Sequence, residues 1–302
     1  MSEEEVISMV SVIIPAYNEA QAIGDTLREL SEKLSTCGFE YEVLVINDGS
    51  SDDTESIVRK MENEHIRCIS HRVNRGYGSA IVTGVKNARG GLIIWYDADG
   101  QHRPEDLIRV VNKMKEENLD YCIGVRSSTS YQVKNRVFGK LILKKIVNLL
   151  AREPMQDFNS GMRAFKREVL LKYVTLLPKR FGASTISSFI MQEAGNYAGG
   201  EITIEVRSRT GKSTVRPLKD GMRTLMLIMD IILLFRPAEV FGSIGIFFIV
   251  VGVVYGVALA ILEGLGIPVL SAILCMGGIQ TVFLGIILSQ ISRLRLDNLD
   301  ND

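Results

Sequence analysis

Two long uncharged apolar runs near the carboxyl terminus constrain this chain more than any other feature. Val240–Leu262 is a stretch of 23 residues without a charge, and Gly264–Ser292 is one of 29. A helix needs about 20 residues to cross a hydrocarbon core about 30 Å thick, so either run is long enough to span a bilayer. Arg236 precedes the first run, Arg293 and Arg295 follow the second, and the link at 264–268 has no Lys or Arg. Basic residues favour the cytoplasmic side, so both ends of the hairpin are expected there. The segment Met1-Ser2-Glu3-Glu4-Glu5 is acidic, where a secretory signal is basic and then apolar. Residues 1–239 are therefore expected on the cytoplasmic face as well.

Composition narrows the classes further. Lys+Arg is 35 and Asp+Glu is 35, for a formal net charge of +0, which argues against a general nucleic-acid binder. Disorder as a global state is excluded by a hydrophobic content of 46%, enough to build a core. Cys37, Cys68, Cys122 and Cys275 form no C-x-x-C pair and read as reduced thiols.

The first hundred residues alternate strand and helix signals. Val10-Ser11-Val12-Ile13-Ile14 is a β-rich run that Pro15 is expected to stop, and Ile23, Leu27, Leu30 and Leu34 then recur at helical spacing. Tyr41–Ile46 is a second strand, ending in Asn47-Asp48-Gly49-Ser50-Ser51, whose Ser and Asp residues suit a helix N-cap. Leu92–Tyr96 is a third and nearly continuous apolar strand, as both-sided burial requires. Pro104 opens a helix with Leu107, Val110, Val111 and Met114 on one face. This alternation predicts an α/β domain with a mostly parallel sheet, and ligands bind such sheets at the carboxyl ends of the strands. Those ends carry Tyr17-Asn18-Glu19, Asp48 and Asp97-Ala98-Asp99.

Between Leu218 and Phe235 the character changes: Lys219, Arg223 and Asp230 share a narrow stripe while most other residues are apolar. This pattern suits a helix lying in the membrane interface. The expected organisation is an α/β domain over 1–217, an amphipathic interfacial helix over 218–236 and a two-helix membrane hairpin over 237–302.

The strongest local chemical feature is Asp97-Ala98-Asp99-Gly100-Gln101-His102. Two carboxylates spaced i, i+2 just after a buried strand can face one cleft. Hard cations such as Mg²⁺ or Mn²⁺ take oxygen ligands and leave positions open for phosphate oxygens. Asp97, Asp99 and the amide oxygen of Gln101 can supply such a set, with His102 as a turn residue beside it. His65 and His71 have no partners at ligand spacing and read as surface residues. Two other motifs fail: Asn74–Ala80 has Ile81 where a dinucleotide fingerprint needs its third glycine, and Gly211-Lys212-Ser213 has Val206 where a P-loop needs its first.

Four stretches in order carry a family resemblance: Val12–Glu19, Asn47–Thr54, Asn74–Ala80 and Asp97–Gln101. Together they resemble the family 2 glycosyltransferases, whose catalytic domain has the GT-A fold, a Rossmann-like and mostly parallel architecture. Asp157–Phe165 and Arg209–Ser213 look like the dolichyl-phosphate-mannose synthase and polyprenyl-phosphate glycosyltransferase branch, whose members often carry carboxy-terminal membrane helices. The resemblance implies a nucleotide-sugar pocket lined by Pro15, Tyr17, Glu19 and Asp48, with Asp48 hydrogen-bonding the base and Arg75 near the base or diphosphate. It implies a divalent metal, Mg²⁺ or Mn²⁺, on Asp97, Asp99 and Gln101. Arg126 and Arg136 would face the phosphate of a polyprenyl or dolichyl acceptor. Thr214 stands where many members have a lysine after Ser213.

The basic cluster Arg207, Arg209, Lys212 and Arg216 has two readings: attraction to anionic lipid, or a grip on substrate phosphate by Arg209 with Ser213 and Arg216. The expected reaction is inverting transfer of one hexose from a nucleotide sugar, a UDP-sugar favoured with GDP-mannose as the alternative, to the lipid phosphate. The catalytic set would be Asp97, Asp99, Arg126 and Arg209. The expected partners are therefore the sugar nucleotide, the lipid phosphate and membrane lipid, with homo-oligomerisation left open. A processive polysaccharide synthase would carry Q-x-x-R-W, but the nearest match, Gln290-Ile291-Ser292-Arg293-Leu294, lacks the Trp. A non-catalytic scaffold is disfavoured by the intact Asp48, Asp97 and Asp99.

Overall fold

The structure is a computed structural model that describes residues 9–127, 145–208, 217–264, 266 and 268–301. The chain divides into two compact units, Met1–Leu227 and Ile228–Asp302.

The first unit is built on a seven-stranded sheet of order β3-β2-β1-β4-β6-β5-β7. Its strands are β1 (Met9–Ala16), β2 (Glu40–Asn47), β3 (Ile66–Ser70), β4 (Leu92–Trp95), β5 (Tyr121–Arg126), β6 (Arg163–Lys166) and β7 (Gly199–Ile204). β6 is antiparallel to both of its neighbours, β4 and β5, and the other pairings are parallel. β1 continues through Pro15 to Ala16, one residue past the expected stop, and Ala16 then accepts the Asp48 N–H at 2.8 Å.

Among the described residues this unit includes the helices α1 (Ile23–Leu34), α2 (Thr54–Lys60), α3 (Tyr77–Asn87), α4 (Pro104–Glu116), α5 (Arg167–Tyr173) and α6 (Ala183–Ala194). Alternation along β1 explains the continuous apolar strands. Val12 and Ile14 join a core with Leu27, Leu30, Leu107, Val110 and Met114 of α1 and α4. Ile13 faces the other way and meets Gly84 of α3 so closely that a Cβ there would overlap it. Both sheet faces are thus covered, which is why Val12–Ile14 of β1, Val43–Ile46 of β2 and all of β4 read as continuous apolar runs rather than alternating ones. Pro104 stands at the first turn of α4, as its sequence position predicts.

Helix α7 (Pro217–Phe235) crosses from the first unit into the second. Met222, Arg223 and Met226 on it are exposed, and Thr224 is buried. In the second unit α8 (Pro237–Glu263) and α9 (Val269–Asn301) form an antiparallel hairpin. Small residues set the approach: Gly245 lies against Gly278, Gly252 against Ser271 and Cys275, and Gly285 against Phe241. The Ser271 hydroxyl donates to the Gly252 carbonyl at 2.7 Å. Close backbone contact at glycines with a hydroxyl bond across is how helices associate where no hydrophobic force separates lipid from protein. Pro237–Leu262 and Val269–Leu299 are both long and apolar enough to cross a membrane, and only 17% of the apolar window in each is buried. Outward-facing Phe247, Val254, Ile261, Phe283 and Ile287 leave a surface that water would not tolerate at such extent.

Leu27 is fully buried between sheet and α4. Leu27→Ala should cost the first unit about 2–5 kcal/mol. The check is denaturant unfolding followed by fluorescence of Trp95, the single tryptophan, which is itself fully buried in β4 and so reports on this unit alone.

Candidate active site

Six of the seven strands run in one direction, and their carboxyl ends deliver the polar residues to one edge. β1 has β2 on one side and β4 on the other, so the strand order reverses at β1, the place where open α/β sheets bind their ligands. Tyr17 and Glu19 follow β1, Asp48 follows β2, His71 follows β3, Asp97 and Asp99 follow β4, and Arg126 ends β5. The antiparallel β6 brings its first residue, Arg163, to the same edge, opposite Trp95.

The β1 and β2 loops brace one another. Asn18, at a positive φ of 55°, accepts from the Ser51 N–H at 2.8 Å, and its own N–H donates to the Ser50 hydroxyl. The Glu19 N–H donates to Thr54 Oγ1 at 2.9 Å, and the Ala20 N–H to Asp52. Asp52 also accepts the Thr54 N–H at 3.0 Å, whereas the N-cap of α2 is Asp53 with no side-chain capping bond, so the cap expected from the Ser and Asp residues of Asn47–Ser51 does not form. Burial works to raise the Asp52 carboxyl, but these hydrogen bonds outweigh it and hold it below its ordinary value. Tyr17 is left 44% exposed at the rim, with Pro15 half-buried behind it.

Asp48 is 2% exposed. Its Oδ1 accepts the Arg75 N–H at 2.9 Å and meets His71 Nδ1 at 2.6 Å, while Oδ2 accepts the Gly76 N–H at 2.7 Å. The carboxylate expected to meet a base is thus bound to a turn of its own chain. Arg75 joins it by backbone, and the Arg75 side chain is exposed. His71, expected on the surface, is buried between Asp48 and Thr83. Its partner lies 23 residues upstream, where spacing for metal ligands gives no signal.

Asp97 and Asp99 occupy the loop after β4. Asp97 accepts from the Tyr77 hydroxyl at 3.2 Å, and His102 Nε2 lies 3.3 Å from its other oxygen. Burial above all, and then the Asp97 charge, drives the Tyr77 phenol well above its ordinary value, so it stays a donor. Asp99 accepts the Gln101 N–H at 3.2 Å. The Gln101 side-chain amide donates to the Arg207 carbonyl at 3.1 Å, and the Arg207 N–H returns to the Gln101 carbonyl at 2.9 Å. Arg207 is itself clamped on Glu29 of α1 at 2.7 and 2.9 Å. The segment after β7 is therefore tied across the Asp97–Gln101 loop.

Arg126 makes a bidentate pair with Asp157, at 2.6 Å from Nε and 2.7 Å from Nη2. Burial works to raise the Asp157 carboxyl, but the Arg126 hydrogen bonds and charge prevail and hold it below the usual range. Arg163 is fully buried, and this desolvation pushes its guanidinium down to about 10. It donates to the Phe158 and Ser160 carbonyls, each at 2.8 Å, and to Ser188. That grip fixes Gly161, where any Cβ would overlap the Asp97 carboxylate. Asp157, Arg163 and Tyr77 had no role from spacing. Arg136, Arg209, Ser213 and Arg216 lie outside the described residues.

The donor set suits a hard divalent cation. Two carboxylates and an amide sit in one loop, and magnesium is commonly held by one or two carboxylates plus substrate phosphates rather than by an all-protein cage. Among the described residues no group of three His, Cys, Asp or Glu side chains forms such a cage.

Residues 11–174 match the model of glycosyl transferase family 2, and residues 236–294 match the GtrB C-terminal hairpin. With its two apolar helices, the chain is a membrane protein. An uncharacterised protein of Methanocaldococcus jannaschii is 36% identical over 172 residues, covering 55% of this chain and 68% of that one. Undecaprenyl-phosphate 4-deoxy-4-formamido-L-arabinose transferase of Klebsiella pneumoniae is 28% identical over 309 residues, 96% of this chain and 90% of the relative. Among solved structures, glucosyl-3-phosphoglycerate synthase of Mycobacterium tuberculosis with Mn²⁺, uridine diphosphate and phosphoglyceric acid has a TM-score of 0.58 at 21% identity. It spans 74% of this chain and 78% of its own. Mannosyl-3-phosphoglycerate synthase of Rubrobacter xylanophilus has a TM-score of 0.58 at 16% identity, over 76% of this chain and 74% of its own. These neighbours share the GT-A fold, and the family match extends over more than half of the chain: it belongs to glycosyl transferase family 2 and is a glycosyltransferase.

Proposed function

We propose that this enzyme transfers one hexose from a nucleotide sugar, with a UDP-sugar as donor, to a polyprenyl or dolichyl phosphate on the cytoplasmic face of a membrane. The observation that carries this reading is the joining, in one chain, of an Asp97/Asp99 edge site to a lipid-facing hairpin. The near full-length relative named for an undecaprenyl-phosphate substrate supports a lipid phosphate as acceptor. Orientation rests on Arg236, Arg293 and Arg295 at the hairpin ends and their absence from its link. Helix α7, with Met222 and Met226 exposed, would lie in the interface and hold the catalytic domain there.

In the proposed reaction a phosphate oxygen of the acceptor attacks the anomeric carbon. The bond from that carbon to the donor's β-phosphate oxygen breaks, and the nucleoside diphosphate leaves with the electron pair. Attack opposite the leaving group inverts the anomeric centre. A phosphate monoester is anionic at neutral pH, so this site needs no strong general base. Asp97 and Asp99, with Gln101, would hold Mg²⁺ or Mn²⁺, whose positive charge stabilises the departing diphosphate. Tyr77, His102 and Gly161 fix the Asp97 carboxylate for that task. Arg126, kept charged by Asp157, would face the acceptor phosphate with Arg136, and Arg209, Ser213 and Arg216 would grip substrate phosphate. Pro15, Tyr17, Glu19, Asp48 and Arg75 would form the nucleoside side of the pocket.

The test is incubation of the full chain with a panel of radiolabelled nucleotide sugars and polyprenyl phosphate, followed by lipid extraction. A labelled lipid with one sugar per phosphate and an inverted anomeric centre is expected from one donor, with loss of about a thousandfold or more in Asp99→Asn. A polymeric product, or no lipid product from any donor, would contradict the proposal. Gly161→Ala should also cut transfer by at least about tenfold through displacement of Asp97, while the Trp95 unfolding midpoint stays near that of the wild type.

A further inference from the structure

His71 is a buried titratable group for which the reaction above has no use, although it touches a residue of the donor pocket. Its side chain is 5% exposed. Nδ1 lies 2.6 Å from Asp48 Oδ1, and Nε2 lies 2.8 Å from Thr83 Oγ1. The ring thus joins the end of β2 to the middle of α3 from its own place after β3. When the Thr83 hydroxyl donates to Nε2, the neutral ring carries its proton on Nδ1, facing the carboxylate. A partner on one ring nitrogen commonly fixes what the other presents.

What Asp48 does with that support is visible in the turn beyond it. Its two oxygens take the N–H groups of Arg75 and Gly76, so a rotation of this short side chain would release both. Gly76 sits at φ 99°, and a Cβ there would approach Arg180 and the Lys179 carbonyl to 2.8–2.9 Å. On the far side the Gly78 N–H donates to the Arg180 carbonyl and the Ser79 N–H to that of Lys179. Gly49, next to Asp48, packs on Val73 and Asn74 with no room for a side chain. The turn is therefore held against backbone on two sides and set by one carboxylate, whose orientation the imidazole fixes.

We infer that His71 is a positioning residue for the sugar nucleotide: through Nδ1 it locks Asp48, and through Asp48 it holds the Arg75–Gly76 turn in the shape that receives the nucleoside diphosphate. Thr83 keeps the ring in register. This inference rests on the reading of Asp48 and Arg75 as part of the donor pocket.

The experiment uses the full chain in detergent with Mn²⁺, and titrates UDP and GDP as probes alongside steady-state kinetics with the sugar donor. Loss of a buried hydrogen bond to a charged group should weaken binding of the preferred diphosphate, and raise donor KM, by about tenfold in His71→Ala. The kcat should stay within about twofold, since uniform binding is what is lost. His71→Asn, whose side-chain amide can replace the Nδ1 donor, should recover most of the affinity. Thr83→Val should weaken it by about threefold. The Trp95 unfolding midpoint separates these effects from stability. A lowered midpoint in His71→Ala with unchanged nucleotide affinity and KM would make the residue a packing element and overturn the inference. If His71→Ala does not fold, unchanged affinity in a folded Thr83→Val does the same, and so does a folded His71→Asn with affinity as low as that of an Asp48→Asn variant. Unchanged nucleotide binding in Asp48→Asn would instead remove the donor-pocket reading itself. Unchanged binding in His71→Ala beside weakened binding in Asp48→Asn overturns the positioning role alone.

Discussion

Asp48, Asp99 and Asp106 are each 6% exposed or less, and a carboxylate leaving water costs several kcal/mol unless donors replace its hydration. The sheet end that gathers these groups is therefore organised around their partners. Asp48 is met by an imidazole and two backbone amides, Asp157 by a bidentate guanidinium, and Asp97 by a phenol with His102 alongside. Asp106 accepts from Arg109 and from the Glu205 N–H, which pins the strand leading to Arg207. Each pairing also fixes a loop. The polar network that makes burial of charge tolerable is the same network that shapes the pocket.

This arrangement suits chemistry in which two anions must be held together. Arg126 keeps its charge because the Asp157 carboxylate outweighs the effect of burial, and Arg163 spends its own on the carbonyls that place Gly161 against Asp97. The hairpin adds a different physics. Its contacts are made at glycines, with a Ser271-to-Gly252 hydroxyl-to-carbonyl bond across, and its outer surface is rich in Phe, Ile and Val. In the proposed function a lipid-linked phosphate would be served by both parts: the hairpin would keep the enzyme at the bilayer, and the sheet edge would bind phosphate and sugar nucleotide.

The sequence was most legible where local pattern and tertiary burial agree. β1, β2 and β4 carry continuous apolar runs because helices cover both faces, and Pro104 marks the start of α4. β6 gave no such signal. It has four residues, begins with a charged Arg163 and is paired in reverse between β4 and β5, a placement set by distant partners. The same limit applied to single residues. Asp97 and Asp99 stand out because two residues in one loop reveal each other, whereas His71 and Asp48, or Arg126 and Asp157, meet only after 23 or 31 residues have been folded back. Pattern alone does not show that Asp48 is bound to its own turn, because the donors are backbone amides.

In the proposed reaction Asp97 and Asp99 would form the metal and diphosphate site of the transferase. The most direct test of that role is a titration of Mn²⁺, followed by electron paramagnetic resonance, into the full chain with and without UDP or GDP. The nucleoside diphosphate should tighten Mn²⁺ binding by about tenfold or more, and this enhancement should disappear in a folded Asp97→Asn, Asp99→Asn double variant. Equal Mn²⁺ binding by that variant and the wild type, with the nucleotide effect intact, would contradict that role.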